Sequence, residues 1–205
     1  MIVTNEDHEK TIFKRDNELN LDKFIGKDSE NEDTDTTFAP AKKDDDNNEI
    51  KKNESTVPGD AGFFDLPSQM QGTWYSVVDG HENKMMIGQN TVSYVNSDGS
   101  STLTLHTLKK DFDISNYMLK PNYQNQTKGW GRAGQMNYNG FNMINIHGWT
   151  QSAGAGEYLY LAQEKGQTVL VQGSGANAWT DAVYWKNQSD AQANADAKFD
   201  NLLYQ

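Results

Sequence analysis

The chain has 205 residues, 35% of them hydrophobic and 23% charged, and carries 18 basic against 29 acidic side chains for a net charge of -11. It contains no cysteine, which excludes a disulfide scaffold, a thiol nucleophile, a thiolate-ligated zinc site and an iron–sulfur cluster. The acidic balance argues against a nucleic-acid binder, because such a protein needs a basic surface to displace counterions from phosphates.

The charge is concentrated at the start. Residues 1–60 hold 9 Lys/Arg and 17 Asp/Glu, and their only aromatics are Phe13, Phe24 and Phe38. All five Trp come later. Low hydrophobicity with dense like-sign charge cannot offset the entropy lost on ordering, so residues 1–60 are expected to form a disordered acidic tail or tether. Residues 61–205 are expected to form one domain. Asp44, Asp46 and Asn48 have the opening spacing of a calcium loop, but Glu49 stands where the loop needs glycine and Ser55 where it needs the bidentate Glu. No cofactor and no metal is expected. Met1-Ile2-Val3 is followed at once by polar residues, with no apolar h-region. No stretch approaches the 18 apolar residues of a membrane span.

From Gly72 onward short β-type runs alternate with turn signals. Thr73–Val78 is the first, with Trp74, Ser76 and Val78 on one face. Trp74 is therefore expected in the core. Met85–Gly88, Thr91–Val95 and Thr102–Leu108 follow, the last two joined through Asp98-Gly99. Residues 109–134 break the pattern, with one helical turn near Asp111 and then a polar, Gly-rich loop around Trp130. Asn139-Gly140 joins Gln135–Tyr138 to Phe141–His147, and Glu164-Lys165-Gly166 joins Tyr158–Gln163 to Thr168–Gln172. A last strand covers about Asp181–Lys186. Residues 189–204 read as a helix, capped by Ser189 with Gln192 three positions on, its stripe made of Ala191, Ala195, Phe199 and Leu202. The expected fold is all-β: an antiparallel barrel or strongly bent sheet, a lipocalin-like meander with a C-terminal α-helix.

Two resemblances follow from short blocks. Gly72-Thr73-Trp74-Tyr75 resembles the G-x-W opening of the lipocalin and calycin barrels, which implies a barrel plugged by the Trp. The late Arg that packs over this Trp in lipocalins is missing, because the one Arg after residue 60 is Arg132. Three longer blocks, Pro67–Tyr75, Asn145–Tyr158 and Val169–Trp179, are similar to uncharacterised secreted and lipoprotein-like domains of lactic acid bacteria. That resemblance implies an exported, cell-surface protein whose signal has been removed, with residues 1–60 as a spacer. It implies no reaction.

Chemistry-bearing motifs are sparse. Gly129-Trp130-Gly131-Arg132-Ala133-Gly134 spells G-x-G-x-x-G, but no strand precedes it and no helix follows, so no pyrophosphate cradle is expected. His8, His81, His106 and His147 form no metal-binding pair. His106 is expected to be solvated, on a strand face with Thr102 and Thr104. Glu157 is the acid least like a turn residue. With no catalytic constellation, the chain reads as a non-enzyme, a monomeric binding module displayed outside the cell. Its partner would be a glycan, a wall polymer, a small molecule or a protein. The ligand-binding candidates are Trp130, Trp149, Trp179 and Tyr158, because flat apolar rings among amides suit sugars. Two alternatives remain: a lipocalin-like carrier of a small apolar ligand, and a cell-wall carbohydrate hydrolase using Glu157 and Asp181.

Overall fold

A computed structural model describes residues 55–205. The tail and the calcium-like spacing at Asp44 fall outside these residues, apart from the last six positions of the tail. Ten strands follow in chain order: β1 Asp60–Phe63, β2 Gly72–Val78, β3 His81–Ile87, β4 Thr91–Asn96, β5 Gly99–Leu108, β6 Trp130–Tyr138, β7 Phe141–Gly148, β8 Glu157–Glu164, β9 Gln167–Ser174 and β10 Trp179–Tyr184. Two short helices, α1 Pro121–Gln126 and α2 Gln188–Ala193, complete the described elements together with two 3₁₀ turns.

Local turn chemistry sets the hairpins. Asp79-Gly80, Asn139-Gly140 and Lys165-Gly166 all take positive φ at both positions. That is the requirement of the two-residue turn whose twist matches the flanking strands. The β4–β5 turn is displaced by one residue from the expected Asp98-Gly99. Asn96 pairs with Gly99 across it, so Ser97-Asp98 form the loop and Gly99 opens β5. The Asn96 side chain accepts the Asp98 amide at 3.0 Å, an Asx turn that captures the corner before the glycine is reached.

The strands form one sheet in the order β10-β9-β8-β7-β6-β5-β4-β3-β2, with β1 added to β5. All pairs are antiparallel except β5–β6, which run parallel from Thr104↔Trp130 to His106↔Arg132. A parallel pair cannot be joined by a hairpin and needs a crossover. Residues 109–129 are that crossover, and they carry α1. This is why the region breaks the strand pattern. It also moves Trp130 from the expected loop to the first position of β6.

The sheet is strongly bent. It has no continuous closing ladder, but its two ends meet at a single bridge. Tyr75 N–H donates to the Trp185 carbonyl at 2.8 Å, and Trp185 N–H donates back at 2.7 Å. One face of the sheet therefore turns inward. Trp74, Met85, Val92, Leu105, Ile144, Leu159 and Leu170 meet there in one buried cluster. Trp74 has no exposed surface. Its indole N–H donates to the Met70 carbonyl at 2.7 Å, and Lys186 Nζ lies 3.5 Å from its ring centre. A second cluster lies on the outer face of β7–β10. It is built from Met143, Tyr160, Val169, Val171 and Trp185 and covered by the C-terminal segment through Ala191 and Leu202.

The C-terminal helix is shorter than expected. α2 stops at Ala193, and its cap is Asn187, whose side chain accepts the Asp190 amide. Ser189 is not the cap. Beyond it Asp196 adopts φ 56, and its carboxylate accepts the Asp79 amide at 2.7 Å. A tertiary hydrogen bond to the β2–β3 turn thus outweighs a modest helix propensity. Leu202 still packs on the sheet, delivered by irregular chain.

Replacing Trp74 by Ala is expected to cost about 3–5 kcal/mol. For a chain of this size that lowers the melting temperature by on the order of 10 °C. Thermal unfolding followed by near-ultraviolet circular dichroism measures it, and an unchanged midpoint would refute the core role.

Candidate functional site

The four aromatic candidates have different surroundings. Trp130 and Trp149 are neighbours, but they are engaged with each other and with a buried histidine. The Trp130 ring is half-buried and stacks on His106 at 3.7 Å with an interplanar angle of 12°. It meets Trp149 edge-on at 5.5 Å. Trp149 is buried, and its indole N–H donates to the Tyr123 hydroxyl at 2.7 Å. That hydroxyl donates on to the Pro58 carbonyl at 2.9 Å. Tyr158 is buried in the outer cluster, away from this group. Trp179 is half-buried at the start of β10.

His106 is buried, which corrects the solvated strand face expected from Thr102 and Thr104. The cause is topological: β1 and Trp130 cover that part of β5. His106 Nδ1 lies 3.1 Å from Asp60 Oδ1. Burial raises the Asp60 pKa, but hydrogen bonds from Ser55, the Gly62 amide and His106, with the histidine's charge, outweigh it and hold the carboxyl below its ordinary value. This cluster fastens β1 to β5.

Trp179 lines an open cleft of about 430 Å³, with Thr180, Asp181, Asn194, Lys198 and Tyr204 among its walls. The geometry is built by two glycines and a bulge. Gly175 takes φ +73, and a Cβ there would stand 2.6 Å from the Trp179 ring; at Gly173 it would stand 2.8 Å from the Trp179 carbonyl. Both positions must therefore lack a side chain for the ring to lie across the β9–β10 turn. The β9–β10 register shifts between Thr180 and Ala182, so Asp181 drops out of the pairing and faces the cleft. The opposite wall is the C-terminal segment, tied down where Thr180 N–H donates to the Leu203 carbonyl at 2.6 Å.

A second polar group lies toward the inner face. Tyr94 on β4 donates its phenol to Glu157 Oε1. Gln172 Nε2 donates to Oε2 at 2.8 Å, and the Tyr184 hydroxyl donates to Gln172 Oε1 at 2.8 Å. Glu157 opens β8 directly after Gly156. That glycine has φ +78, and a Cβ there would stand 2.5 Å from the Ile146 carbonyl. Asn145 Nδ2 holds the same entry by donating to the Ala155 and Glu157 carbonyls. Burial raises the Glu157 pKa; hydrogen bonds from Tyr94 and Gln172 oppose it, Asp181 adds to it, and the net shift is upward. Burial likewise pushes the Tyr94 and Tyr184 phenols up, helped by the Glu157 charge.

Glu157 lines a shallow depression widely open to solvent, whereas Asp181 lines the Trp179 cleft. The two acids therefore open on separate recesses. Tyr94, Gln172 and Tyr184 were not singled out by motif. The readable signal was their register, since each polar group shares an inner face with apolar Val92, Leu170 and Ala182.

Searches of family models, curated proteins and solved structures find no match to this chain. No helix among the described residues is long and apolar enough to cross a membrane.

The raised Glu157 pKa has a definite pH signature. Between the ordinary value of 4.5 and the raised one, the folded state holds a proton that the unfolded state has lost. Stability from this group is thus present at low pH and falls as pH rises through that interval. Comparing Glu157→Gln with wild type across pH 4–8 by denaturant titration should show wild type losing ground to the variant as pH rises. A pH-independent difference would contradict the assignment.

Proposed function

We propose that the chain is a non-catalytic binding module, displayed outside the cell, that holds a polyhydroxylated ligand such as a glycan or wall polymer in the Trp179 cleft. One observation carries this reading: Trp179 and Tyr204 share an open cleft with Thr180, Asp181, Asn194 and Lys198. An aromatic face takes the apolar side of a sugar ring, and hydroxyl, amide and charged groups around it exchange hydrogen bonds with the sugar hydroxyls. The acidic lead-in and the blocks Pro67–Tyr75, Asn145–Tyr158 and Val169–Trp179 support the extracellular part of the reading.

Lumenal carriage of a small apolar molecule is less well supported. It requires an open apolar interior, and the inward positions are occupied by Trp74, Met85, Leu105, Leu159 and Leu170, all without exposed surface. The hydrolase alternative would need two carboxyls facing across one cleft, whereas Glu157 and Asp181 line different recesses.

Sedimentation with purified insoluble cell-wall carbohydrate tests the proposal. Wild type should co-sediment, and Trp179→Ala should weaken retention at least tenfold, about 1.4 kcal/mol. Trp130→Ala, outside the cleft, should bind as wild type if its folding is intact. Unchanged retention of Trp179→Ala would remove the cleft from consideration.

A further inference from the structure

We propose that the open depression beside Glu157 is a separate binding site for a primary alkylammonium ion. The depression is lined by Glu157 and Tyr94 together with apolar Leu103, Ile146 and Ala155. Its carboxylate is already oriented. Tyr94 and Gln172 each donate to a different oxygen, which fixes the group while leaving lone pairs for another donor.

What the carboxylate lacks is a positive charge. Among the described residues the one acid–base contact within salt-bridge distance is Asp60–His106, between β1 and β5, and it does not involve Glu157. Most titratable groups around Glu157 make its surroundings more negative or leave them neutral; the exception is Arg132, whose guanidinium donates to the carbonyl of Gln151, a lining residue, at 2.7 Å and not to Glu157. Tyr94 from β4 and Tyr184 from β10 are uncharged phenols, and Asp181 from β10 adds a second negative charge that opposes ionisation of Glu157. His147 on β7 abuts Gly156, and burial and the Arg132 charge favour its neutral form. A half-buried carboxylate with neutral hydrogen-bond donors and no salt-bridge partner of its own is costly to ionise. A ligand that brings its own positive charge removes that cost.

The walls of the depression choose between kinds of cation. A hard metal ion needs several oxygen ligands, and no group of three or more His, Asp or Glu side chains among the described residues could hold one. A primary ammonium needs only a few acceptors and carries its alkyl stem with it. Leu103, Ile146 and Ala155 supply an apolar wall for that stem, and Glu157 supplies the charge.

The experiment titrates the intact chain with n-butylammonium chloride and, separately, with n-butanol, following backbone amide NMR shifts of residues 148–157. Butanol has the same stem without the charge. At pH 8 butylammonium should shift these amides saturably, and butanol should bind at least tenfold more weakly. Acidification through the Glu157 pKa should weaken butylammonium roughly tenfold per pH unit. Glu157→Gln should lose at least tenfold in affinity while its spectrum stays dispersed. Equal binding of the two probes, an absence of saturable shifts with butylammonium, or undiminished binding by Glu157→Gln would each overturn the proposal. If the variant does not fold, the two-probe comparison on wild type decides alone. Failure here leaves the Trp179 cleft untouched, since no residue of that test is shared.

Discussion

The architecture depends on one reciprocal contact, the pair of backbone hydrogen bonds between Tyr75 and Trp185. Without it the nine-strand path from β2 to β10 would be an open ribbon with two bare edges. With it, residues from every strand of that path face a common interior. Neighbouring contacts reinforce the junction: Lys186 Nζ donates to the Gln71 carbonyl at 3.1 Å and lies over the Trp74 ring. The same lysine thus touches the lead-in to β2 and the Trp74 ring of the core. Because β10 ends at Tyr184 and the chain departs toward α2, the junction is a single bridge and not a ladder. That departure leads the C-terminal segment across the outer face.

The two polar regions follow from this closure. The segment covering the outer face forms one wall of the Trp179 cleft, and the inward face collects Tyr94, Glu157, Gln172 and Tyr184 from four strands. Both regions are shaped by glycines with positive φ, Gly175 under the Trp179 ring and Gly156 before Glu157. In each case a Cβ would strike a backbone or ring atom that cannot readily yield. Asp181 belongs to the wall of the outer cleft, yet its charge is felt at Glu157 through the thickness of the sheet.

The features legible in the sequence were those set by neighbouring residues. Asn139-Gly140 and Glu164-Lys165-Gly166 marked hairpins because Gly, and Asn beside it, tolerate positive φ; at Asp79-Gly80 the strand after the turn begins at His81, earlier than the expected Met85. Trp74 was readable as core from strand alternation alone. The readings that failed depended on distant partners. Residues 194–204 have helix-compatible composition, but Asp196 is claimed by the Asp79 amide. His106 alternates with threonines as a solvated residue would, but β1 and Trp130 cover it. No local signal announces the parallel β5–β6 pair, so Trp130 read as a loop residue. For the site, Trp179 was visible only as one of several aromatics among Asn, Gln and Gly, whereas the one singled out between two glycines, Trp130, is stacked on His106. Tyr94 and Gln172 gained meaning only once four strands were brought together.

The parallel β5–β6 pair also orders the assembly of the molecule. It divides the chain into two meanders, β2–β5 and β6–β10, each made mostly of strands adjacent in sequence, with tight turns closing several of the hairpins. Such hairpins form on the microsecond scale. The parallel pairing and the Tyr75–Trp185 bridge close much longer loops, and that entropy is lost before the joined halves gain the shared interior. The largest loop-closure cost in this topology therefore falls on bringing the two meanders together. A nascent chain that has emerged only as far as β9 still lacks the strand that brings Trp185 back to Tyr75. It carries an unsealed edge on β2 until residues 179–185 arrive.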